Sequence, residues 1–164
     1  MDIFHTLLIL SAFLCSLVAG FLFAYAVVIM PGLTYLGDRE FIKAFQVTDR
    51  IIQHNQPIFM LVWLGSAITL IVSFFMGIDR LHGVNFFLLS FAAIAYILGV
   101  QVITIAIHLP LNKKLQEFDV DTMDDANIKL ARHSFESRWV SYNLFRTVVA
   151  SCVSVLLIIL LFRL

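Results

Sequence analysis

Charge is what this sequence has least of. Only 13% of its 164 side chains are charged, and the 11 basic and 11 acidic groups cancel without forming a block of one sign. No net field exists to recruit a polyanion, so no nucleic-acid partner is expected. Cysteine is nearly absent as well. Cys15 and Cys152 both lie inside apolar runs, where they read as small packing residues rather than as a disulfide or a metal pair. Neither Cys-x-x-Cys-His nor His-Glu-x-x-His occurs, so the reading is no metal and no cofactor, with haem or a metal held through His54 and His108 as the minority alternative. The acidic run Glu117, Asp119, Asp121, Asp124 and Asp125 lacks the glycine and the closing glutamate of a calcium loop. Internal repeats and low-complexity tracts are missing too. The first apolar run has neither a basic leader nor a small-residue cleavage site and is expected to be a retained span.

What is abundant is apolar length. Hydrophobic residues make up 61% of the chain and the mean hydropathy is +0.96, far from the usual soluble composition. The chain therefore reads as an integral membrane protein. Four runs reach the roughly 20 residues that a helix needs to cross the hydrocarbon core: about 3–30, 57–78, 84–108 and 139–162. Pro31 with Gly32 should stop the first, Pro57 should open the second, and Pro110 should end the third. Between the first two, Asp38 should cap a short amphipathic helix whose apolar face carries Phe41, Ala44, Phe45, Thr48, Ile51 and Ile52. The stretch from Thr122 to Asp125 reads as another helix start, and that helix should run unbroken into the fourth span. The expected fold class is all-α: a single membrane domain over residues 1–164, built as a four-helix bundle with two short membrane-flanking amphipathic helices.

Lysine and arginine are distributed unevenly between the connections. Nine (Arg39, Lys43, Arg50, Lys113, Lys114, Lys129, Arg132, Arg138 and Arg146) lie in or just beyond the two long connections, against Arg80 and Arg163 on the other side. The positive-inside tendency puts the connections 31–57 and 109–138 in the cytoplasm and both termini outside. With four crossings these connections must share one side of the membrane. His54, Asn55, His108, Asn112, Arg132, His133, Trp139, Asn143 and Arg146 are thereby brought to one leaflet or its water boundary, away from His5 and His82.

Arg132, Phe135, Trp139, Asn143, Arg146 and Ala150 recur every three or four residues and form one helical stripe, which should face the bundle. An arginine at that depth marks a site or snorkels to the headgroups. His108 combines a helix C-terminus, which favours the charged ring, with an apolar setting, which favours the neutral one, a balance suited to proton transfer. Asn112 is placed to donate to an oxyanion, and Trp139 offers a flat wall for an aromatic ligand. The plainer reading is that His108 and Asn112 satisfy carbonyls left without donors before Pro110. His54 and Asn55 fit a turn as well as a site, and Asp49 is either solvated or paired with Arg132 or Arg146.

Taken together, Met30-Pro31-Gly32-Leu33, Asn55-Gln56-Pro57-Ile58-Phe59, His108-Leu-Pro-Leu-Asn112 and the series Arg132, Phe135-Glu136, Trp139, Asn143, Arg146-Thr147 resemble the anthrone oxygenase-like family of small four-span membrane proteins. The likeness covers nearly the whole chain. For the family's fungal polyketide members it implies oxidation of an anthrone to an anthraquinone by dioxygen without a conventional redox cofactor. It further implies that His108 is the base, that Asn112, Asn143 and Arg146 stabilise the enolate oxygen, and that Trp139 lines the ring pocket, with His54, Asn55, Arg132 and Asp49 as further substrate-binding candidates. Asp49 and the Gln53-His54 stretch depart from the family pattern, which more often carries asparagine near the former.

Two functional classes stand beside each other at this point. One is an oxygenase acting on a hydrophobic aromatic or phenolic compound, which requires His108 and the polar stripe to converge on one pocket. The other is a non-catalytic membrane module, in a homo-oligomer or alone, that binds a lipid, a quinone, haem or a partner protein and whose polar groups pair off without leaving a cavity. A proton-coupled carrier fits less well, because four spans make a small transport path.

Overall fold

In the computed structural model, which describes residues 2–164, the chain is helical throughout, with no strand among the described residues. Four helices are long and apolar enough to cross a membrane: α1 (Ile3–Leu33), α3 (Pro57–Gly77), α4 (Gly83–Gln116) and α5 (Asp125–Arg163). The protein is a multi-pass membrane protein. A fifth helix, α2 (Asp38–Gln53), lies between the first two spans. The second flanking piece is the N-terminal part of α5 and is continuous with its span. No proline or glycine interrupts that stretch, and Asp124 caps its start by accepting the Asn127 N–H at 2.9 Å.

Around the bundle, α1 packs against α3 and α5, while α4 packs against α5 and, near its start, against α3. The outer faces carry Phe75, Phe87, Ile105, Leu144, Val148 and Val155, all exposed, as a lipid-facing surface requires. Inside, one apolar core holds Leu8, Cys15, Leu70, Leu89, Tyr96 and Leu157. A second core, at the end where the long connections emerge, joins Tyr25, Met30, Phe41, Phe45, Phe135 and Trp139.

Two prolines do not act as stops. α1 continues through Pro31 to Leu33, and α4 continues through Pro110 to Gln116, eight residues beyond the expected end at residue 108. Each proline follows a wider, π-helical stretch by two positions, Tyr25–Ile29 in α1 and Thr104–His108 in α4. There the ladder has already left i→i−4 pairing, so a ring without an N–H is carried without ending the helix.

The buried face of α2 also differs from the expected one. Phe41, Ile42, Phe45, Gln46 and Asp49 are buried, whereas Thr48 and Ile51 face outward. The face is turned because the Gln46 amide donates to the carbonyls of Leu115 and Phe118, at 2.7 and 3.0 Å. Polar anchorage outweighs the apolar gain of burying Ile51. Each buried Phe or Ile still contributes roughly 1.5–3 kcal/mol. Arg39, on the same helix, donates to the Met123 carbonyl at 2.8 Å and pairs with Asp125 at 2.9 Å, and Lys43 pairs with Asp121. The two long connections therefore meet at one end of the bundle, as the parity of crossings demanded. Asp38 is the first residue of α2 rather than its cap, and its carboxylate accepts from Arg132.

At the far end of α2, Asn55 adopts a left-handed conformation with φ 56° and its N–H bonds the Ile52 carbonyl, closing the helix. Gln56 then caps α3, with Pro57 in the first turn. Asparagine tolerates this backbone better than a β-branched residue, for which it costs of order 1–2 kcal/mol. Asn55→Gly should therefore keep the thermal unfolding midpoint near that of the wild type in detergent. Asn55→Val should lower it, and equal midpoints for the two variants would contradict this account of the turn.

Candidate functional site

Two polar stripes lie side by side on the neighbouring helices α4 and α5. On α5, Phe135, Trp139, Asn143, Arg146 and Ala150 are all buried, so the face inferred from their spacing is the inward one. On α4, Gln101, Thr104, His108 and Asn112 recur every three or four residues and line the same space. Between them lies a cavity of about 370 Å³, within the roughly 300–1,000 Å³ range of small-molecule sites. Aromatic rings close it elsewhere: Phe21 and Tyr25 from α1, Phe45 from α2, and Phe59 and Trp63 from α3. Both tryptophans of the chain line it.

Arg146 is 4% exposed and has no carboxylate within ion-pair distance among the described residues. Its guanidinium donates instead to Thr104 Oγ1 at 2.8 Å and to Asn143 Oδ1 at 2.9 Å, and its Nε–H has no partner. Asn143 is turned by its own bond to the Leu22 carbonyl, at 3.2 Å, so that its amide oxygen points to the arginine. A buried cation held only by neutral acceptors keeps its charge available to a ligand oxygen. The snorkelling reading does not hold.

His108 is 2% exposed, and among the described residues neither ring nitrogen makes a well-formed hydrogen bond, although the Tyr142 backbone carbonyl lies near the ring. The ring stands edge-on to Trp139, with centroids 5.1 Å apart. The capping reading fails for both residues near Pro110. α4 does not end there, His108 is unpaired, and Asn112 bonds side chains: it donates to Asp49 Oδ1 at 2.7 Å and accepts the Trp139 indole N–H at 2.9 Å. A carboxylate only accepts and an indole N–H only donates, so the amide between them has one orientation. Asn112 thereby fixes the plane of Trp139 against His108.

Asp49 is 2% exposed, paired with neither arginine and not solvated, contrary to both expectations for it. Besides Asn112, Gln116 and Gln53 donate to its other oxygen, at 3.1 and 3.3 Å. Burial pushes its carboxyl above the usual range, and the bonds from Gln116, Gln53 and Asn112 offset part of that push.

The structure thus brings His108, Asn112, Asn143, Arg146, Trp139, Asp49 and Asn55 to one cavity. It leaves two candidates outside. His54 is exposed at the end of α2 and does not line the space that His108 enters, so the pairing of these two histidines around haem or a metal finds no support in the fold. Arg132 donates to Glu136 at 2.8 Å, to Asp38 at 3.0 Å and to the Leu36 carbonyl at 2.9 Å, and lies over the Phe41 ring. It ties α5 to the start of α2. Gln101, Thr104 and Gln116 were not anticipated. The first two share the helical spacing of His108 and Asn112, a signal present in the sequence; Gln116 lies past Pro110, where no helix was expected.

Residues 50–157, more than half of the chain, match the family model described as anthrone oxygenase, and the chain belongs to that family. No curated protein and no solved structure matches it.

The Asp49 environment has a pH signature. A carboxyl whose folded value is raised stabilises the fold fully below its unfolded value, and that contribution is lost as pH rises through the folded value. Relative to Asp49→Asn, the wild type should therefore lose thermal stability as pH rises above the ordinary carboxylate range, read as the difference in unfolding midpoints between about pH 4 and 7. A difference that does not change with pH would remove the buried-carboxyl account.

Proposed function

We propose that this member of the anthrone oxygenase family oxidises a flat, hydrophobic anthrone-type or phenolic compound with dioxygen, and that His108 is the base. One observation carries the reading: His108, with no well-formed hydrogen bond at either ring nitrogen, and Arg146, with its Nε–H unpaired, line one aromatic-walled cavity. Family membership supports the choice of substrate class.

With an anthrone in the cavity, His108 takes a proton from the methylene carbon opposite the carbonyl. The electron pair passes into the ring system and onto the carbonyl oxygen, and the central ring becomes aromatic. Arg146 meets the charge that develops on that oxygen, held in place by Asn143 and Thr104. Dioxygen is reduced as it bonds to the deprotonated carbon, and loss of water from the resulting hydroperoxide leaves a second carbonyl. One anthrone and one dioxygen give one anthraquinone and one water. Trp139, fixed by Asn112, keeps the ring plane in register with His108. The non-catalytic alternative implies polar groups that pair off and leave no space, and the cavity with its unpaired histidine favours catalysis.

Oxygen uptake by the purified protein supplied with anthrone tests this, measured above the uncatalysed rate. His108→Ala should lower kcat by about 10²–10⁴-fold and Arg146→Gln by about 10²–10³-fold. Uptake equal in wild type and His108→Ala would overturn the assignment. We also place the two long connections in the cytoplasm on the lysine and arginine count. A single cysteine at Lys114, in a chain with Cys15 and Cys152 replaced, should resist a membrane-impermeant maleimide added to intact cells, whereas ready labelling would reverse the orientation.

A further inference from the structure

We infer that the cavity is loaded sideways from the bilayer, through the seam between α3 and α4, and that Leu64 and Ile105 set the width of that entrance for a flat apolar ligand. The inference shares the substrate class of the proposed function but stands on separate observations.

Leu64, Ile105 and Leu109 are 50%, 64% and 44% exposed, as lipid-facing side chains of spanning helices are. The same side chains line the cavity that holds the buried His108. A space bounded by both kinds of residue opens through the wall of the bundle. The packing shows why. α3 and α4 associate over Gly83–Tyr96, next to the turn that joins them, whereas beyond Tyr96 the turns of α4 lean on α5. The helices part where the π-helical stretches Ile97–Val102 and Thr104–His108 begin. Along the outside of the same seam runs a second groove, wholly apolar, lined by Ile71, Phe75, Ile94 and Leu98 among others.

The entrance is polar at one end only, where Gln53 and Asn55 are exposed. A water-borne ligand would have to arrive there. At the seam a compound dissolved in the hydrocarbon first meets the exposed Leu64, Ile105 and Leu109, so it exchanges one apolar surrounding for another. A charged solute would have to be desolvated first. The seam therefore selects ligands that partition into the bilayer before they meet Arg146 and His108.

Tryptophan emission reads this without turnover. In Trp63→Phe, Trp139 in the cavity is the remaining tryptophan. With the protein in phospholipid vesicles, bromonaphthalene dissolved in the bilayer should quench Trp139 in proportion to its content in the lipid, while aqueous iodide should have little effect. Adding Leu64→Phe or Ile105→Phe should weaken bromonaphthalene quenching several-fold, and Leu144→Phe, on the outer face of α5, should leave it unchanged. Quenching indifferent to both seam variants, or dominated by iodide, would overturn the lateral entrance and move it to Gln53 and Asn55. If anthrone oxidation is absent while this quenching pattern holds, the proposed reaction fails and the entrance stands. The opposite pair of results removes the entrance alone.

Discussion

A guanidinium inside an apolar bundle must be surrounded by acceptors, and much of this site follows from how Arg146 meets that demand. Among the described residues no carboxylate neutralises it. Thr104 and Asn143 hold it with neutral oxygens, and Asn143 can do so only because the Leu22 carbonyl fixes its amide. Three spans are thus tied to one cation whose Nε–H is directed at no protein atom. A carboxylate partner would make a more fully satisfied pair and cancel the field that a ligand oxygen could use. The arrangement gives up part of that satisfaction in the folded chain and keeps the charge for a ligand.

The other side of the cavity is organised by a different rule, the fixed direction of donors and acceptors. Asp49 accepts, the Trp139 indole donates, and Asn112 joins them in the one orientation both permit. That chain links α2, α4 and α5, so the amphipathic helix is part of the wall rather than a float on the membrane surface. Gln46 and Gln116 extend the same logic, bonding α2 to the segment after Pro110 and that segment back to α2. The aromatic group of Tyr25, Phe45 and Trp139 fills the space around these bonds and shields them from water.

The spans were legible because length and hydropathy suffice to identify them, and the inward stripe of α5 because a regular helix preserves its spacing from Phe135 to Ala150. Where the helix is not regular, sequence reasoning went astray. Pro110 read as a stop because a proline in an ideal α-helix is one, and nothing local announces a π-helical stretch ahead of it. The same error hid Gln116 and its bond to Asp49. The face of α2 was misjudged because apolar spacing was weighed without the partners that draw its polar residues inward, the Leu115 carbonyl for Gln46 and the Asn112 amide for Asp49, contributed from 69 and 63 positions along the chain. His54 and Arg132 were grouped with the site by leaflet, and a leaflet is far wider than a cavity.

The π-helical stretches have a consequence for how this chain's candidate site is encoded. A wide turn accommodates an extra residue, so everything beyond it is rotated relative to an ideal helix, by about 100° for each residue added. Along α4 the stretch before Tyr96 faces one set of neighbours, and the stretch carrying His108, Asn112 and Gln116 faces another, with the offset absorbed between Ile97 and His108. The orientation of the histidine is therefore a matter of counting as well as of chemistry. Removing one residue there would leave hydropathy and every polar side chain nearly unchanged, yet swing His108 toward lipid.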